Sequence, residues 1–573
     1  MPALLELAVR ALEVFGGFDN GRDQIPLRGE VHGVKSTPTA SKTSIPDYFQ
    51  TTDHHFAGPT QTGAAPWLAQ TNLAPFAGVS YIPNAPLETQ IPVPGNTKNQ
   101  NIFQSLANLS PYFPHPDGFG VNEYPIPPGS NVSWLNMVHR HGSRYPEFSG
   151  RAPERTLGAK IMAAKGNFTA HGPLSFLNSW EFLLGAEILV PIGKQELFNS
   201  GTLHYYQYGH LYPNNGSKII VRSTTQQRML ESAEYFLAGF FGLGWTGNAT
   251  LELVIEEDGL NNTMAGYKGC ENSNWDVGYN ATMTWANVYL QDAHKRITEN
   301  LEGNLDWTVE DTYNAQALCA YETVGLGFSS WCGFFTFEEW EGFEYSLDVG
   351  FHAGVGWASP VGRAIGIGYV HEVLARLHHH TITKPTAQIN LTLDNNTHTF
   401  PTHQTLNLDF SHDANIISIL VAFGLTQFSG HMPLTHIPPS RNFILSHLEP
   451  FAGRLDIELI HAPAPVNPNR TVPADQIYLD GGGPTNYVRF VLNQRTIPLG
   501  KSLEECGDRD DGWCEIDAFY TAQKRQIERV DFDFACFGEY DRGRYGDVTD
   551  GRPPVDREVE KGEVAEGREK GAE

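Results

Sequence analysis

No stretch of the 573-residue chain reaches the ~18 consecutive apolar residues that a membrane-spanning helix needs, so no span is expected. No Cys-x-x-Cys pair and no His-Glu-x-x-His helix occurs, which removes the common zinc arrangements; no metal and no cofactor is expected. Basic residues are scarce: 39 Lys and Arg stand against 65 Asp and Glu, a formal net charge of −26. The deficit is not a tail effect, because from Asp541 onward ten acids face seven bases, only −3 of the total. Acidity spread over the whole body makes nucleic acid an unsuitable partner. An anionic substrate would have to be drawn in by a local basic pocket, and low pH would ease its approach by protonating surface carboxylates. Nothing in the sequence assigns an oligomeric state, and no internal repeat is visible.

Against that background the segment Arg140, His141, Gly142, Arg144 and Pro146 sets two guanidiniums around one imidazole. The apolar run Val132 to Val138 precedes it, so His141 emerges just past a strand end, where ligands of open α/β sheets sit. Flanking guanidiniums favour the neutral imidazole and together clamp a tetrahedral oxyanion. A neutral imidazole is a nucleophile and an arginine-held phosphate an electrophile, so the local chemistry points to phosphoryl transfer. Two further segments have the same shape. Ile219 to Val221 lead into Arg222, and Met229, Ala233, Phe236, Leu237 and Phe240 follow at helical spacing, which predicts Arg222 at a strand-to-helix corner. Leu406, Leu408 and Phe410 alternate toward His412 and Asp413, after which the apolar run Ile416 to Ala422 opens a helix. The expected fold class is α/β: a mainly parallel sheet flanked by helices, with an inserted smaller α-rich cap domain.

The segment Arg140 to Pro146 resembles the signature of the histidine acid phosphatases, the branch of the phosphoglycerate-mutase-like fold that includes fungal phytases and secreted acid phosphatases. Arg222 and the pair His412 and Asp413 are similar to the family's two further pieces, and the stretch Ala317 to Leu377 looks like the segment after the cap in fungal members. The resemblance implies phosphomonoester hydrolysis at acidic pH without a metal. His141 would be the nucleophile that becomes a phosphohistidine, Asp413 the proton donor and acceptor, and Arg140, Arg144, Arg222 and His412 the phosphate-binding set. The expected substrates are small anionic phosphomonoesters, inositol phosphates first. A broad-specificity acid phosphatase is the alternative, and a catalytically silent glycoprotein that binds phosphorylated ligands a remote one. Phytate would call for further cations, and Arg151, Arg155, Lys160 and Lys165 after the motif read as surface residues. One position departs from the family: fungal phytases often carry Asn directly after the His-Asp pair, and here Ala414 stands there with Asn415 next.

Ten Asn-x-Ser/Thr sequons, at Asn108, Asn131, Asn167, Asn215, Asn248, Asn261, Asn280, Asn390, Asn395 and Asn469, are a density expected of a secreted glycoprotein. Cys270, Cys319, Cys332, Cys506, Cys514 and Cys536 form an even set suited to three disulfides, for which spacing alone leaves about fifteen connectivities. The family resemblance implies Cys319–Cys332, Cys506–Cys514 and Cys270–Cys536. Secretion is expected, yet Glu6 and Arg10 interrupt Met1 to Leu12 and no signal-peptide core forms; the start is read as clipped or mis-assigned. Residues 1–100 are expected to form an extended, partly disordered arm. Residues 101–244 and 351–540 are expected to form the catalytic domain, 245–350 a helical cap, and 541–573 a disordered charged tail. His378 to His380 reads as a polar helix end.

Overall fold

The structure, a computed structural model, describes residues 88–147, 153–384, 386–542 and 544–554. Among them ten strands occur: β1 (Asn131–Arg140), β2 (Phe168–Ala170), β3 (Ile219–Thr224), β4 (Ala249–Val254), β5 (Leu301–Gly303), β6 (Leu406–Ser411), β7 (Arg454–Ala462), β8 (Thr485–Leu492), β9 (Arg495–Ile497) and β10 (Cys514–Glu515). The main sheet runs β10-β8-β7-β1-β6-β3-β4, with β9 on β8. β1, β6, β3 and β4 are parallel neighbours. β7 joins β1 antiparallel, and β8 to β10 continue that half of the sheet. The parallel half therefore carries all three motif strands, whose carboxyl ends meet at one edge.

The helices that matter for the site are α1 (Pro153–Ala164), α2 (Pro191–Tyr208), α3 (Gln227–Phe241), α4 (Asp276–Tyr289), α5 (Gln291–Glu299), α6 (Val309–Leu326), α7 (Phe337–Gly354), α8 (Gly362–Leu377) and α9 (Asp413–Ala422). Side chains alternate across a strand. Along β1, Leu135 and Met137 pack with Leu197 of α2 and with Phe236 and Phe240 of α3. Trp134 and Val138 join Ile365 of α8 and Ile416 and Leu420 of α9 in the other layer. A strand covered on both faces needs apolar residues on both, which is why 132–138 reads as a near-continuous run. Each fully buried side chain of this size contributes about 1.5–3 kcal/mol. α8 ends at Leu377, with His378 as its cap.

α4 to α7 lie between β4 and α8 in the chain. α6 and α7 each start on a capping box, Thr308 with Asp311 and Thr336 with Glu339. The boundary expected at 245 falls before β4, which is an edge strand of the main sheet; a half-exposed edge strand lacks the alternation that would have marked it. Disulfides join Cys270–Cys536, Cys319–Cys332 and Cys506–Cys514.

The expected N-terminal arm lies outside the described residues up to 87; from Glu88 the chain is tied down, with Glu88 N donating to Gly327 O at 2.7 Å and Phe337 N to Pro94 O at 2.8 Å. The expectation of a disordered tail from 541 is corrected for the described part. Asp550 pairs with buried Arg363 of α8 at 2.5 Å, and Arg363 N donates to Gly551 O at 2.9 Å. A buried guanidinium needs a counter-charge, and the tail supplies it. Residues 555–573 lie outside the described part.

Candidate active site

β1 delivers Arg140 at its last position, and His141 follows beyond the sheet edge. Gly142 is required there because a Cβ would lie 2.4 Å from Gly193 O. Half-buried Glu196 of α2 fixes the turn by accepting from Ser143 N at 2.8 Å and Ser143 Oγ at 3.0 Å. His141 Nδ1 sits 2.9 Å from Gly142 O. A carbonyl only accepts, so Nδ1 carries the proton and Nε2 keeps its lone pair. Burial lowers the His141 pKa well below the ordinary imidazole value, and Arg140, Arg144, Arg228 and His412 reinforce it. The neutral imidazole, with its lone pair on Nε2, is therefore favoured.

His141 lines a cavity of about 880 Å³ together with Asn108, Arg144, Arg228, His412 and Asp413. Arg144 donates to Tyr145 O at 2.9 Å and pairs with Glu147 at 3.2 Å. His412 caps α9 and holds Glu256 through Nε2 at 2.8 Å. Burial alone would raise Glu256, but His412, hydrogen bonds from it and the hydroxyls of Thr224 and Tyr267 lower it to about 2, so it is a fixed anion behind the ring. Asp413 opens α9 and accepts from Asn108 Nδ2 at 2.9 Å, while Arg140 Nη2 lies 2.6 Å away. Burial would raise Asp413; Arg140, Asn108 and Arg144 outweigh it and hold the carboxyl below its usual value. Arg140 has no exposed surface and sits beneath the cavity rather than on its wall, with Nη1 donating to Asn108 O at 2.6 Å and Glu449 O at 2.7 Å. Its positive charge acts on the site from below.

Arg222 does not join this group. β3 continues past it to Thr224, and alternation turns Arg222 toward α8 while Val221 faces the α2–α3 layer. There Arg222 Nε donates to Asp409 Oδ1 at 2.8 Å and Nη2 to Glu372 Oε2 at 2.6 Å. Asp409 also pairs with Arg376 at 2.6 Å, so the cluster is a buried ion network below the sheet edge. The second arginine of the cavity wall, beside Arg144, is Arg228, in the first turn of α3, bonded to Glu187 Oε2 at 2.5 Å. A cation at a helix amino end opposes the macrodipole, and that mismatch was the signal in the sequence that an anion belongs nearby.

Two sequons are also corrected. Asn108 is buried with its amide nitrogen donating to Asp413, and Asn248 is buried with its Oδ1 accepting from Tyr212 OH at 3.2 Å; burial keeps both amide nitrogens from a glycan. Asn415 Oδ1 accepts from Gly266 N at 2.8 Å, a brace that leaves Ala414 facing the cavity. Of the further basic residues, Arg155 donates to Gly185 O at 2.8 Å, Lys160 pairs with Asp311 at 2.6 Å and Lys165 with Glu181 at 3.1 Å. Arg151 lies outside the described residues.

An imidazole facing a cavity with two arginines, Arg144 and Arg228, in its wall and a carboxyl at its side has counterparts among known proteins. Residues 131–493 match the family model of the histidine phosphatase superfamily (branch 2). Phytase A of Aspergillus awamori is 31% identical over 421 residues, covering 69% of this chain and 81% of the relative. Phytase A of Aspergillus oryzae is 28% identical over 439 residues, 73% of this chain and 88% of the relative. The crystal structure of the phytase from D. castellii superposes with a TM-score of 0.61 at 21% identity, over 78% of this chain and 90% of that one, and so shares the fold. A sheet with a parallel core, a histidine at its edge and a match across most of the chain lead to one conclusion: this chain belongs to branch 2 of the histidine phosphatase superfamily.

Proposed function

We propose that the chain hydrolyses phosphomonoesters at acidic pH through a phosphohistidine on His141, with inositol phosphates as substrates. The observation that carries this is the unprotonated Nε2 of His141 directed by its Nδ1 contact, in a cavity walled by Arg144, Arg228, His412 and Asp413. His141 attacks phosphorus in line while Arg144, Arg228 and His412 hold the non-bridging oxygens and Arg140 adds positive potential from beneath. The arriving phosphate dianion offsets the Arg140 charge felt by Asp413 and raises its proton affinity, so Asp413 can protonate the leaving oxygen. In the second step Asp413 takes the proton from the attacking water and inorganic phosphate leaves. The Phytase A relatives support inositol phosphates as the substrate class.

A specific observation favours a second reading, a broad acid phosphatase. Outside the inner clamp the described cavity lining is aromatic and acidic, with Trp275, Tyr279, Asp276, Glu187 and Glu310, and Lys268 is held by Asp258 at 2.9 Å. The test has two parts. Brief exposure to labelled substrate at acidic pH followed by peptide mapping should place the label on His141. Comparison of kcat/KM for inositol hexakisphosphate and simple monoesters then separates the readings, with a preference for the former expected. Asp413→Asn should slow alkyl phosphates about 10²-fold or more, and nitrophenyl phosphate far less, because nitrophenolate leaves without a proton. Equal slowing of both would remove Asp413 from the acid role. The three disulfides and the exposed sequons, Asn131, Asn167 and Asn280 among them, support an extracellular location.

A further inference from the structure

The bend at residues 449–453, which leads into β7, forms the underside of the site. Gly453 O accepts from Arg140 N at 2.8 Å, and Ala452 N donates to His141 O at 2.9 Å. The Phe451 ring lies 4.7 Å from the Arg140 guanidinium carbon. Glu449 opens this bend and has no exposed surface; neither of its carboxyl oxygens has a hydrogen-bond partner among the described residues. Its Oε2 folds back on the bend, 3.2 Å from where a Cβ on Gly453 would stand. A carboxyl buried without donors is costly as an anion and stable as the neutral acid. The charged groups that face it are Arg140, from β1, and Asp413, from the start of α9. Arg140 Nη1 donates to the backbone Glu449 O at 2.7 Å while its Nη2 holds Asp413 at 2.6 Å, so one guanidinium ties the bend that carries this acid to Asp413.

We propose that Glu449 is a positioning residue for the hydrolysis: as the neutral acid it leaves Arg140 to Asp413, and on ionising it draws Arg140 away, so that it sets the upper pH limit of turnover. The proposal rests on the phosphohistidine reading above. The directions agree with it. Burial raises Glu449 well above the ordinary carboxyl value, Arg140 pulls it partly back and Asp413 pushes it up again, while Asp413 itself is held low. Neighbouring acids driven apart in this way divide the roles of proton holder and proton-free base. Because the folded protein keeps a proton on Glu449 that the unfolded chain releases, Glu449 contributes stability that is present below the ordinary carboxyl value of 4.5 and is lost as pH rises through its raised value.

The experiment is a pH–rate profile of the full chain and of Glu449→Gln on a simple monoester, with thermal unfolding at acidic and neutral pH in parallel. The descending limb should move up by at least about one pH unit in the variant, because a neutral amide cannot ionise. The variant should also gain thermal stability over the natural chain at neutral pH and not below the ordinary carboxyl value. Glu449→Leu should move the limb in the same sense and carries the test if the glutamine variant does not fold. A limb at the natural position in a folded variant overturns the proposal. So does a fall in kcat that is uniform across pH, which is what a purely structural role would give. Trapping labelled phosphate on the natural chain is read separately: an unlabelled His141 removes the reaction itself, whereas a labelled His141 with an unmoved limb removes only the part given to Glu449.

Discussion

Alanine in place of His141 is expected to abolish phosphomonoesterase turnover, a loss on the order of 10⁴–10⁶ in kcat, with no labelled phosphoenzyme on rapid quenching. The size follows from what is removed. Arginines alone can bind and polarise a phosphate, but without the imidazole no covalent intermediate divides the reaction in two. The fold should survive, because His141 lies past the end of β1 and makes one ring hydrogen bond, to its neighbour Gly142. Thermal unfolding against pH gives an independent check. The His141 pKa is depressed in the folded protein, so below the ordinary imidazole value of 6.5 the unfolded chain binds a proton that the folded chain does not. That penalty grows as pH falls toward the depressed value, and the alanine variant should therefore gain on the natural chain with increasing acidity. Retained turnover, or a label on another residue, would place the nucleophile elsewhere.

The second large effect separates two arginines six positions apart. Arg228→Ala is expected to lower kcat/KM by about 10²–10³ while leaving the unfolding transition nearly in place, the signature of a lost donor to a developing charge. Arg222→Met should do the reverse. It takes the guanidinium from buried Glu372 and leaves buried Asp409 with Arg376 alone, which costs roughly 3–5 kcal/mol of stability, and the folded fraction should keep a near-natural KM. Urea unfolding beside steady-state kinetics reads both. If Arg222→Met proved fully stable and catalytically dead, the assignment of the clamp to Arg228 would fail.

Much of the site was legible in the residues themselves. The motif Arg140 to Pro146 and the pair His412 and Asp413 are local: each stands where an apolar run stops, and in both the strand ends there at the sheet edge. Arg222 also ended an apolar run and was misplaced for that reason. Whether a strand stops at a charge or carries it inward depends on a partner 187 residues away, Asp409, which makes burial of the guanidinium tolerable. The same holds for Asn108, whose sequon is a three-residue pattern, while its burial against Asp413 depends on a contact across 305 residues. The tail follows this rule as well, since Asp550, besides its neighbour Arg552, is held by the distant Arg363 and Arg529.

Periodicity and short-range charge thus determined that this chain builds a sheet edge bearing a histidine flanked by arginines. Tertiary structure decided which arginines wall the cavity, which asparagine touches Asp413, and that a second carboxyl, Glu449, is buried beside Arg140. The reason is physical: the cost of burying a charge is set by whatever lies opposite it, and in a sheet assembled from distant strands that neighbour is nowhere near it in sequence.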